Sequence, residues 1–457
     1  MNKMKSFILY GIVMIFIAFS SLVLKERNDV AFLLLVGSAT ITFLFSLART
    51  KYRFDKIFSF FLPLALTITR TIWVAHPYTE IMGILSVSAG LFFCATDLVI
   101  LYFLWRIPSF NKTRTIMRYN IYAYIAFICV SVFFAFNQEF ALAGVLLSLK
   151  CVVLYLWFSS YPYIDLIKKY TVLGAECALL FQGIVALLQK ITGGSIGLAF
   201  LGENEDALRY RIIAGEIDRG AAGTFEHSSR LAIFAVFVLL LVIFNEENKK
   251  KKYIMVALGF VVLYLAGSRT AMLIFILSLF YYVWSNKSKS IKKKTFVLAF
   301  SCTIISLIGL AYGFSTNFFN FITDSDLVFQ FNNRINHWVV ALSFIFQKPF
   351  IGYGINNYAA KMTTINQTNF YFLNPVHNNF LLNWFEVGFF GVIAYIALFL
   401  FSIFKVKSFK KLLGLQKTAL LFIICVVIYN FTGWAFAAPT CIYFLWISFG
   451  LIDRSVK

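Results

Sequence analysis

Long apolar runs recur along the chain and constrain its fold more than any other feature. Between Phe7 and Asp453, mostly apolar segments of about 17 residues or more follow one another, and each can cross roughly 30 Å of hydrocarbon as a helix. Of the 457 residues, 60% are hydrophobic and only 13% are charged. A soluble globular chain carries about 25% charged residues. Soluble classes are therefore excluded, and the sequence predicts a bundle of membrane helices.

The hydropathy pattern predicts an all-α polytopic membrane protein with about 14 transmembrane helices, in a range of about 12 to 14. The first run follows Lys3 and Lys5, lacks a small-residue cleavage site and is too long for the core of a signal peptide, so it is expected to be a membrane helix. The expected helices lie near residues 6–24, 30–48, 57–75, 81–105, 119–137, 140–161, 171–189, 229–244, 253–267, 270–284, 296–313, 379–404, 418–436 and 438–452.

The basic residues are distributed unevenly between the two sides of this bundle. The net charge of +21 would suggest a nucleic-acid binder in a soluble protein. With a cytoplasmic N-terminus, however, roughly two-thirds of the 41 Lys and Arg residues fall in the inner loops and the two termini. We therefore expect no nucleic-acid partner, both termini in the cytoplasm, and two long polar segments outside, 190–228 and 314–378.

Three regions follow from this topology: an N-terminal transmembrane bundle (1–189), a catalytic transmembrane region with both long outer loops (190–404), and C-terminal transmembrane helices (405–457). Titrating chemistry is expected outside, because all the histidines lie at or beyond the outer ends of helices. They are His76, His227, His337 and His377.

No metal site or cofactor is expected. The seven cysteines lie within or at the edges of apolar segments and lack metal-ligand spacing. The outer acidic residues fall mostly in one loop that we expect to be flexible, without the close spacing of a cation site. They are Glu203, Glu205, Asp206, Glu216 and Asp218.

The first candidate motif runs from Arg219 to Arg230, at the start of an expected helix. A turn of small residues before a helix exposes backbone N–H groups to an anion, and the two arginines add planar donors that suit phosphate. The sequence therefore predicts a pyrophosphate cradle. The alternative is an ordinary loop in which Ser228 or Ser229 caps the helix and the arginines are solvated.

The second motif is Gly267-Ser-Arg-Thr270, a short turn between two apolar helices at the outer face. Arg269 opposes the general bias of basic residues toward the inside, so an anionic partner is expected to offset its charge. The alternative is that its guanidinium reaches the lipid headgroups.

The third motif begins at Asn374-Pro-Val-His377, where the second long segment re-enters the bilayer. His377 can face water and exchange protons near neutral pH, which makes it the candidate base. Glu386 follows nine residues later, at a depth where a carboxylate needs a partner; one of the arginines is expected to serve. The alternative is that His377 and Asn378 are helix caps.

The second long segment also has internal order. Residues 327–346 are apolar with spaced polar residues, among them Arg334, His337 and Trp338, and are expected to form a helix on the outer membrane surface. Gly352-Tyr353-Gly354 is typical of a tight turn.

Three further ionisable residues fall within expected membrane helices: Arg70, Asp97 and Lys150. Such charges usually face a bundle interior or a cavity, and they are as compatible with a transport path as with catalysis. A transporter such as a flippase for lipid-linked units is therefore an alternative. The absence of an internal repeat and the long outer loops count against transport.

Taken together, these motifs resemble the O-antigen ligase and O-antigen polymerase superfamily. The resemblance covers about residues 170 to 404, and its elements occur in the expected order. They are Arg219 before Gly-Thr-Phe, Ser268-Arg269, Arg334 with Trp338, Pro349-Phe-Ile-Gly-Tyr-Gly354, and His377-Asn378 with Leu381, Glu386, Gly388 and Gly391.

The resemblance implies a glycosyltransferase of the polytopic, metal-independent type, with a glycosyltransferase C-like fold and an undecaprenyl-pyrophosphate-linked glycan as donor. It implies that Arg219 and Arg269 hold the donor pyrophosphate and that His377 orients or deprotonates the acceptor hydroxyl. Arg334 and Arg230 are expected to bind substrate together with Asn378, while Glu386 orients its neighbours.

The acceptor is either another lipid-linked repeat unit, as in a polymerase, or a lipid A core, as in a ligase. The frequent Lys, Asn, Ile and Phe suggest an AT-rich genome, and we favour an O-antigen or capsule polymerase. The resemblance implies that the protein lies in a bacterial inner membrane, with its active site on the outer face. It also implies contact with membrane lipid and a chain-length regulator as a further partner.

Overall fold

The structure, a computed structural model, describes residues 53–70, 72–75, 91–107, 115–203, 209–213, 216–268, 270–276, 325–364, 375–406, 409–431 and 433–454. Within these ranges the chain is mainly helical. The helices are α1 (Arg53–Ala65), α2 (Ala95–Arg106), α3 (Ile116–Phe133), α4 (Gln138–Ser160), α5 (Ile164–Thr192), α6 (Ser228–Asn245), α7 (Lys249–Ala266), α8 (Ser325–Ile345), α9 (Tyr358–Met362), α10 (Asn379–Phe404), α11 (Gly414–Asn430) and α12 (Pro439–Asp453). Residues 270–276 are also mostly helical.

Two short antiparallel ribbons accompany these helices. β1 (Ile72–Ala75) pairs with β2 (Leu91–Phe93), and β3 (Arg209–Ile213) pairs with β4 (Glu216–Gly220). The described part of the chain is thus mainly helical, in agreement with the predicted all-α class, and carries two short ribbons that the sequence did not predict.

Five of the described helices are long and apolar enough to cross a membrane: α3, α4, α5, α6 and α10. α11 and α12 are apolar but shorter. These helices agree with a polytopic membrane protein, whereas a total of 12 to 14 spans stays a prediction. The helices expected near 6–24, 30–48 and 296–313 lie outside the described residues.

The expected helices 57–75 and 81–105 are wrong in part: residues 66–70 and 72–75 of the first and residues 91–94 of the second are not helical, while 81–90 lie outside the described residues. α1 ends at Ala65, where the Thr67 hydroxyl donates to the carbonyl of Leu64 at 2.7 Å, and β1 follows instead of further helix. The second helix begins only at Ala95. The Asp97 carboxylate accepts the N–H of Cys94 at 2.9 Å and so fixes that start, because a side-chain acceptor satisfies a donor that the first turn leaves open.

The expected surface segment 327–346 forms a helix, α8, as predicted. The acidic loop is more ordered than expected, because part of it is the β3–β4 ribbon. Glu203 is buried and accepts hydrogen bonds from the N–H groups of Ile196 and Leu198 at 2.9 and 2.6 Å. A carboxylate buried away from water needs such donors, and here they come from the turn after α5.

α6 lies at the centre of the bundle, in contact with α5, α7, α11 and α12. Its sequence is apolar on every side, as expected for a helix without a solvent-facing surface. The start of α6 is thereby held rigidly, which matters because Arg230 lies in its first turn.

Acidic and basic residues meet at one end of the bundle, which we call the basic end. Asp55 on α1 lies 3.3 Å from Arg106 on α2, and Asp453 on α12 lies 2.7 Å from Lys405 after α10. Three further ion pairs at this end join Lys168 to Glu247 and Lys251 to both Glu176 and Glu246. The described basic residues that the sequence assigned to one side thus gather at one end.

Candidate active site

The loop before α6 lies at the end opposite the basic end and is held by two buried glutamines of α5. The backbone of Gly223 exchanges two hydrogen bonds of 2.8 Å with the Gln189 amide, while the N–H of Thr224 donates to Gln182 at 3.1 Å. Two N–H groups that the sequence offered to an anion are therefore used inside the protein. Anion binding at this loop would rely on its arginine side chains.

The same loop contacts the end of α7. The N–H of Ala221 donates to the carbonyl of Leu265 at 2.9 Å, and Gly220 lies so close that a Cβ would be 2.8 Å from the carbonyl of Ala266. Arg219 precedes this contact, in β4, and its backbone pairs with Tyr210. The side chain of Arg219 and all of Arg269 lie outside the described residues.

Arg230 is buried in the first turn of α6, with only 4% of its surface exposed. Its guanidinium forms an ion pair with Glu226 and lies 5.8 Å from the ring centre of Trp434. A cation that is desolvated in this way needs an anionic partner and gains from an aromatic face. Arg230 is therefore already partly compensated, so a substrate anion would compete with Glu226.

Trp434, after α11, connects Arg230 to an apolar cluster that joins α8, α9 and the start of α10. We call it the α8 cluster; its buried members are Ala341, Ile345, Tyr353, Tyr358, Met362, Val376, Leu382 and Phe385, with Trp338, Leu381, Trp384 and Trp434 packed against it. Val376 is the residue before His377. The cluster therefore brings the start of α6 and the third motif to the same end of the bundle.

His377 is half-buried, and its ring lies beside that of His337 on α8. The ring centres are 6.0 Å apart and the planes are inclined by 56°; His337 is fully buried. Arg334, also half-buried, precedes His337 by three residues, which is one helical turn on the same face. The helix that carries Arg334 thus meets the third motif at His337 and His377.

Asn378 is the N-cap of α10. Its side-chain oxygen accepts hydrogen bonds from the N–H groups of Phe380 and Leu381 at 3.0 and 3.1 Å. This is the capping alternative that the sequence left open, and it accounts for Asn378 without a substrate. His377, which precedes the cap, is not part of it.

α10 is interrupted at Gly388, which has φ 80° and ψ −177°, values reached almost only by glycine. The N–H of Phe389 donates to the carbonyl of Pro349 at 2.9 Å rather than back along the helix. The N–H groups of Tyr353 and Gly354 in turn donate, each at 2.9 Å, to the carbonyls of Phe385 and Glu386. The predicted Gly-Tyr-Gly turn therefore docks onto the interruption, and both of its glycines have positive φ.

Glu386 lies at this interruption and is buried. Its carboxylate accepts the N–H of Tyr358 at 3.2 Å, at the start of α9, so within the described residues its partners are backbone donors rather than the arginine that we expected. The short turn Gly352–Asn357 brings these donors to it because Gly352 approaches the Glu386 carbonyl too closely for a Cβ. Burial, together with Glu386, raises the pKa of Tyr358.

Residues 254–396 match the family model described as O-antigen ligase (Wzy_C). The match confirms the resemblance to the O-antigen ligase and polymerase superfamily and indicates ligase- or polymerase-like activity. Five of the expected site residues fall inside the O-antigen ligase match: Arg269, Arg334, His377, Asn378 and Glu386. Arg219 and Arg230 lie before it. No curated protein matches the chain.

A buried polar network lies beneath His377, partly within the matched residues 254–396. The amides of Asn379 and Asn430 both donate to the hydroxyl of Tyr395, at 2.9 and 3.3 Å. The hydroxyl of Tyr124 on α3 donates to Asn383 at 2.5 Å. Buried polar groups in an apolar bundle are costly unless paired, so this network fixes the first half of α10 against α3 and α11.

The sequence alone indicated no role for His337 or Trp434. The pattern could have indicated His337, since this residue follows Arg334 by one turn in a segment that is otherwise apolar on that face. No sequence pattern could have indicated Trp434, because its contact with Arg230 joins residues about 200 positions apart.

Proposed function

We propose that this protein is a polysaccharide polymerase of the O-antigen or capsule type. It transfers a glycan from undecaprenyl pyrophosphate to a sugar hydroxyl of another lipid-linked repeat unit. The reaction takes place at the outer face of the bacterial inner membrane, both termini are cytoplasmic, and no metal ion takes part.

One observation carries this proposal: the O-antigen ligase match includes His377, Arg334 and Glu386, and these residues lie on elements that pack together. The separation of this end from the basic end supports the outer location, since basic loops favour the cytoplasm. Arg230, which is paired with Glu226 and close to Trp434, lies on the same side of the bundle.

The donor's bond between its anomeric carbon and a phosphate oxygen supplies the energy. Arg219 and Arg269 bind the pyrophosphate and stabilise the negative charge that grows on it as the bond breaks, because a cation fixed where charge develops lowers the barrier. Arg334 assists in binding the donor. Preorganised arginines suit phosphate oxygens through their paired donors.

His377 takes the proton of the acceptor hydroxyl, whose oxygen forms the new bond to the anomeric carbon. The electron pair of the broken bond leaves with the lipid pyrophosphate, and the proton is later released to water. Atoms and charge balance without any further reactant. Glu386 holds α9 in place and takes no part in the chemistry, because backbone donors already occupy its carboxylate.

Ligation to a lipid A core is the second candidate, favoured by the description of the matched family. Both activities use the same donor and differ only in the acceptor. A flippase receives less support, because Lys150 pairs with Asp97 at 2.9 Å and Arg70 follows the end of α1 rather than lying in a helix. A carboxylate partner neutralises the charge of such a cation, so the pair is explained as a structural contact.

Reconstitution of the full chain with a lipid-linked repeat unit tests the proposal. A polymerase gives a ladder of lipid-linked products without any lipid A core. An obligate ligase gives product only when the core is added, and a flippase gives none while it moves the unit across the vesicle membrane.

A further inference from the structure

The proximity of His337 and His377 is not explained by packing alone. His337 is fully buried on α8, a helix otherwise held to α10 by aromatic and aliphatic contacts. Its imidazole lies beside that of the candidate base, with 6.0 Å between the ring centres. A second imidazole beside the candidate base therefore calls for a functional account.

Two imidazoles this close influence each other's charge. A proton on one ring disfavours a proton on the other, since like charges in a partly buried site repel strongly. Groups that interact in this way lose their protons in two separate steps. Each step is a property of the pair and not of either ring alone. Over the range in which one step is complete and the other is not, the pair holds a single proton.

Other charged or titratable side chains contribute to the same field. On the described elements packed around the pair they are Arg334 and Lys348 on or after α8, Tyr353 in the turn, Tyr358 and Lys361 on α9, Glu386 on α10, and the Arg230–Glu226 ion pair next to Trp434. The charges of these groups act on both imidazoles in addition to the coupling between the two rings.

We propose that His337 is a positioning residue for His377 and that the two rings act as one unit, which is neutral before the reaction, above the higher of its two titration steps, and takes up a single proton during it. The inference rests on the proposed function, because it assigns the acceptor's proton to His377. As His377 takes that proton, the neutral ring of His337 beside it keeps the imidazole in its orientation and stabilises the new positive charge.

The test compares His337→Gln, which removes the titration but keeps a polar side chain, with His337→Phe, which keeps a flat ring. Ser343→Ala on the same helix is the matched control, since its exposed hydroxyl only bonds back to Val340. Thermal melting of each full-length variant in nanodiscs establishes folding before activity is compared.

The first readout is the titration of the histidine rings by nitrogen-15 NMR in nanodiscs, without substrate. In the wild type, His377 should titrate in two steps more than about one pH unit apart. In His337→Gln it should titrate in a single step, and in His377→Gln the same should hold for His337. An unchanged curve for both rings would overturn the coupling, whether or not the protein is a polymerase.

The second readout is the rate of transfer from a lipid-linked repeat unit. Both His337 variants should lower kcat at least tenfold while KM changes less than about twofold, since the proton step and not binding is affected. Ser343→Ala should match the wild type. Full kcat in folded His337→Phe would reduce His337 to a packing residue and contradict the proposal. Because the NMR readout needs no turnover, it distinguishes a failure of the coupling from a failure of the proposed function.

Discussion

The carboxylate of Glu386 accepts a hydrogen bond from the backbone N–H of Tyr358, 3.2 Å away, across 28 residues of sequence. This contact joins the interrupted helix α10 to the first turn of α9, whose first N–H groups lack partners within the helix. The segment that carries His337 is thereby tied to the helix that follows His377. The arrangement of the proposed site thus depends on a residue that takes no part in the chemistry.

Glu386→Ala should therefore weaken the site through structure. The N–H of Tyr358 would lose its acceptor in a buried position, which costs about 1–3 kcal/mol. We expect a lower melting temperature and a loss of most activity. Glu386→Gln keeps an acceptor oxygen and should retain much more of both. Equal loss in the two variants would show that the charge itself is required and would contradict the account.

Gly388→Ala tests the interruption of α10. An alanine at φ 80° is strained, and its Cβ would collide with the carbonyl of Phe350, so we expect a cost of at least about 1–3 kcal/mol. Faster proteolysis of the turn at Pro349–Gly354 should accompany it. Gly194→Ala is the matched control, because nothing lies within 4 Å of the added Cβ. Similar melting of the two variants would contradict the structure.

Tyr395→Phe tests the network beneath His377. Its hydroxyl accepts hydrogen bonds from Asn379 and Asn430, which are 1% and 0% exposed, so its loss leaves buried amides without an acceptor. The expected cost is about 1–3 kcal/mol, measured as a lower melting temperature in detergent. Tyr264→Phe on α7, where the ring is 68% exposed, should change stability by less than about 0.5 kcal/mol.

Arg269→Ala and His377→Ala should each abolish polymer in cells while leaving membrane insertion intact. Loss of a cation at the leaving group or of the base removes stabilisation that is made only in the transition state. A single lipid-linked repeat unit should accumulate, visible by gel analysis of extracted lipids. Long polymer in both variants would mean that the active site lies elsewhere.

The sequence predicted best what depends on local pattern. The limits of α10 at residues 379 and 404, the helix α8 and the glycines of the Gly-Tyr-Gly turn follow from hydropathy and backbone geometry. The predictions of helix over 57–75 and 81–105 failed where β1 and β2 lie, because apolar β-branched and aromatic residues also suit a strand. Hydropathy alone does not separate a membrane helix from the β1–β2 ribbon.

The contacts of the candidate site residues could not be predicted from the sequence. Asn378 caps α10, Glu386 binds backbone N–H groups, and Arg230 already has Glu226 as a partner. Each of these pairings depends on how distant segments pack, which periodicity does not encode. The pairing of His337 with His377 is of the same kind.

The most direct test of the central claim is the length distribution of products from purified protein in vesicles supplied only with a lipid-linked repeat unit. The account predicts a ladder of several repeat units for the wild type, and the unreacted unit alone for His377→Ala. A ladder from folded His377→Ala, or none from the wild type until a lipid A core is added, would contradict it.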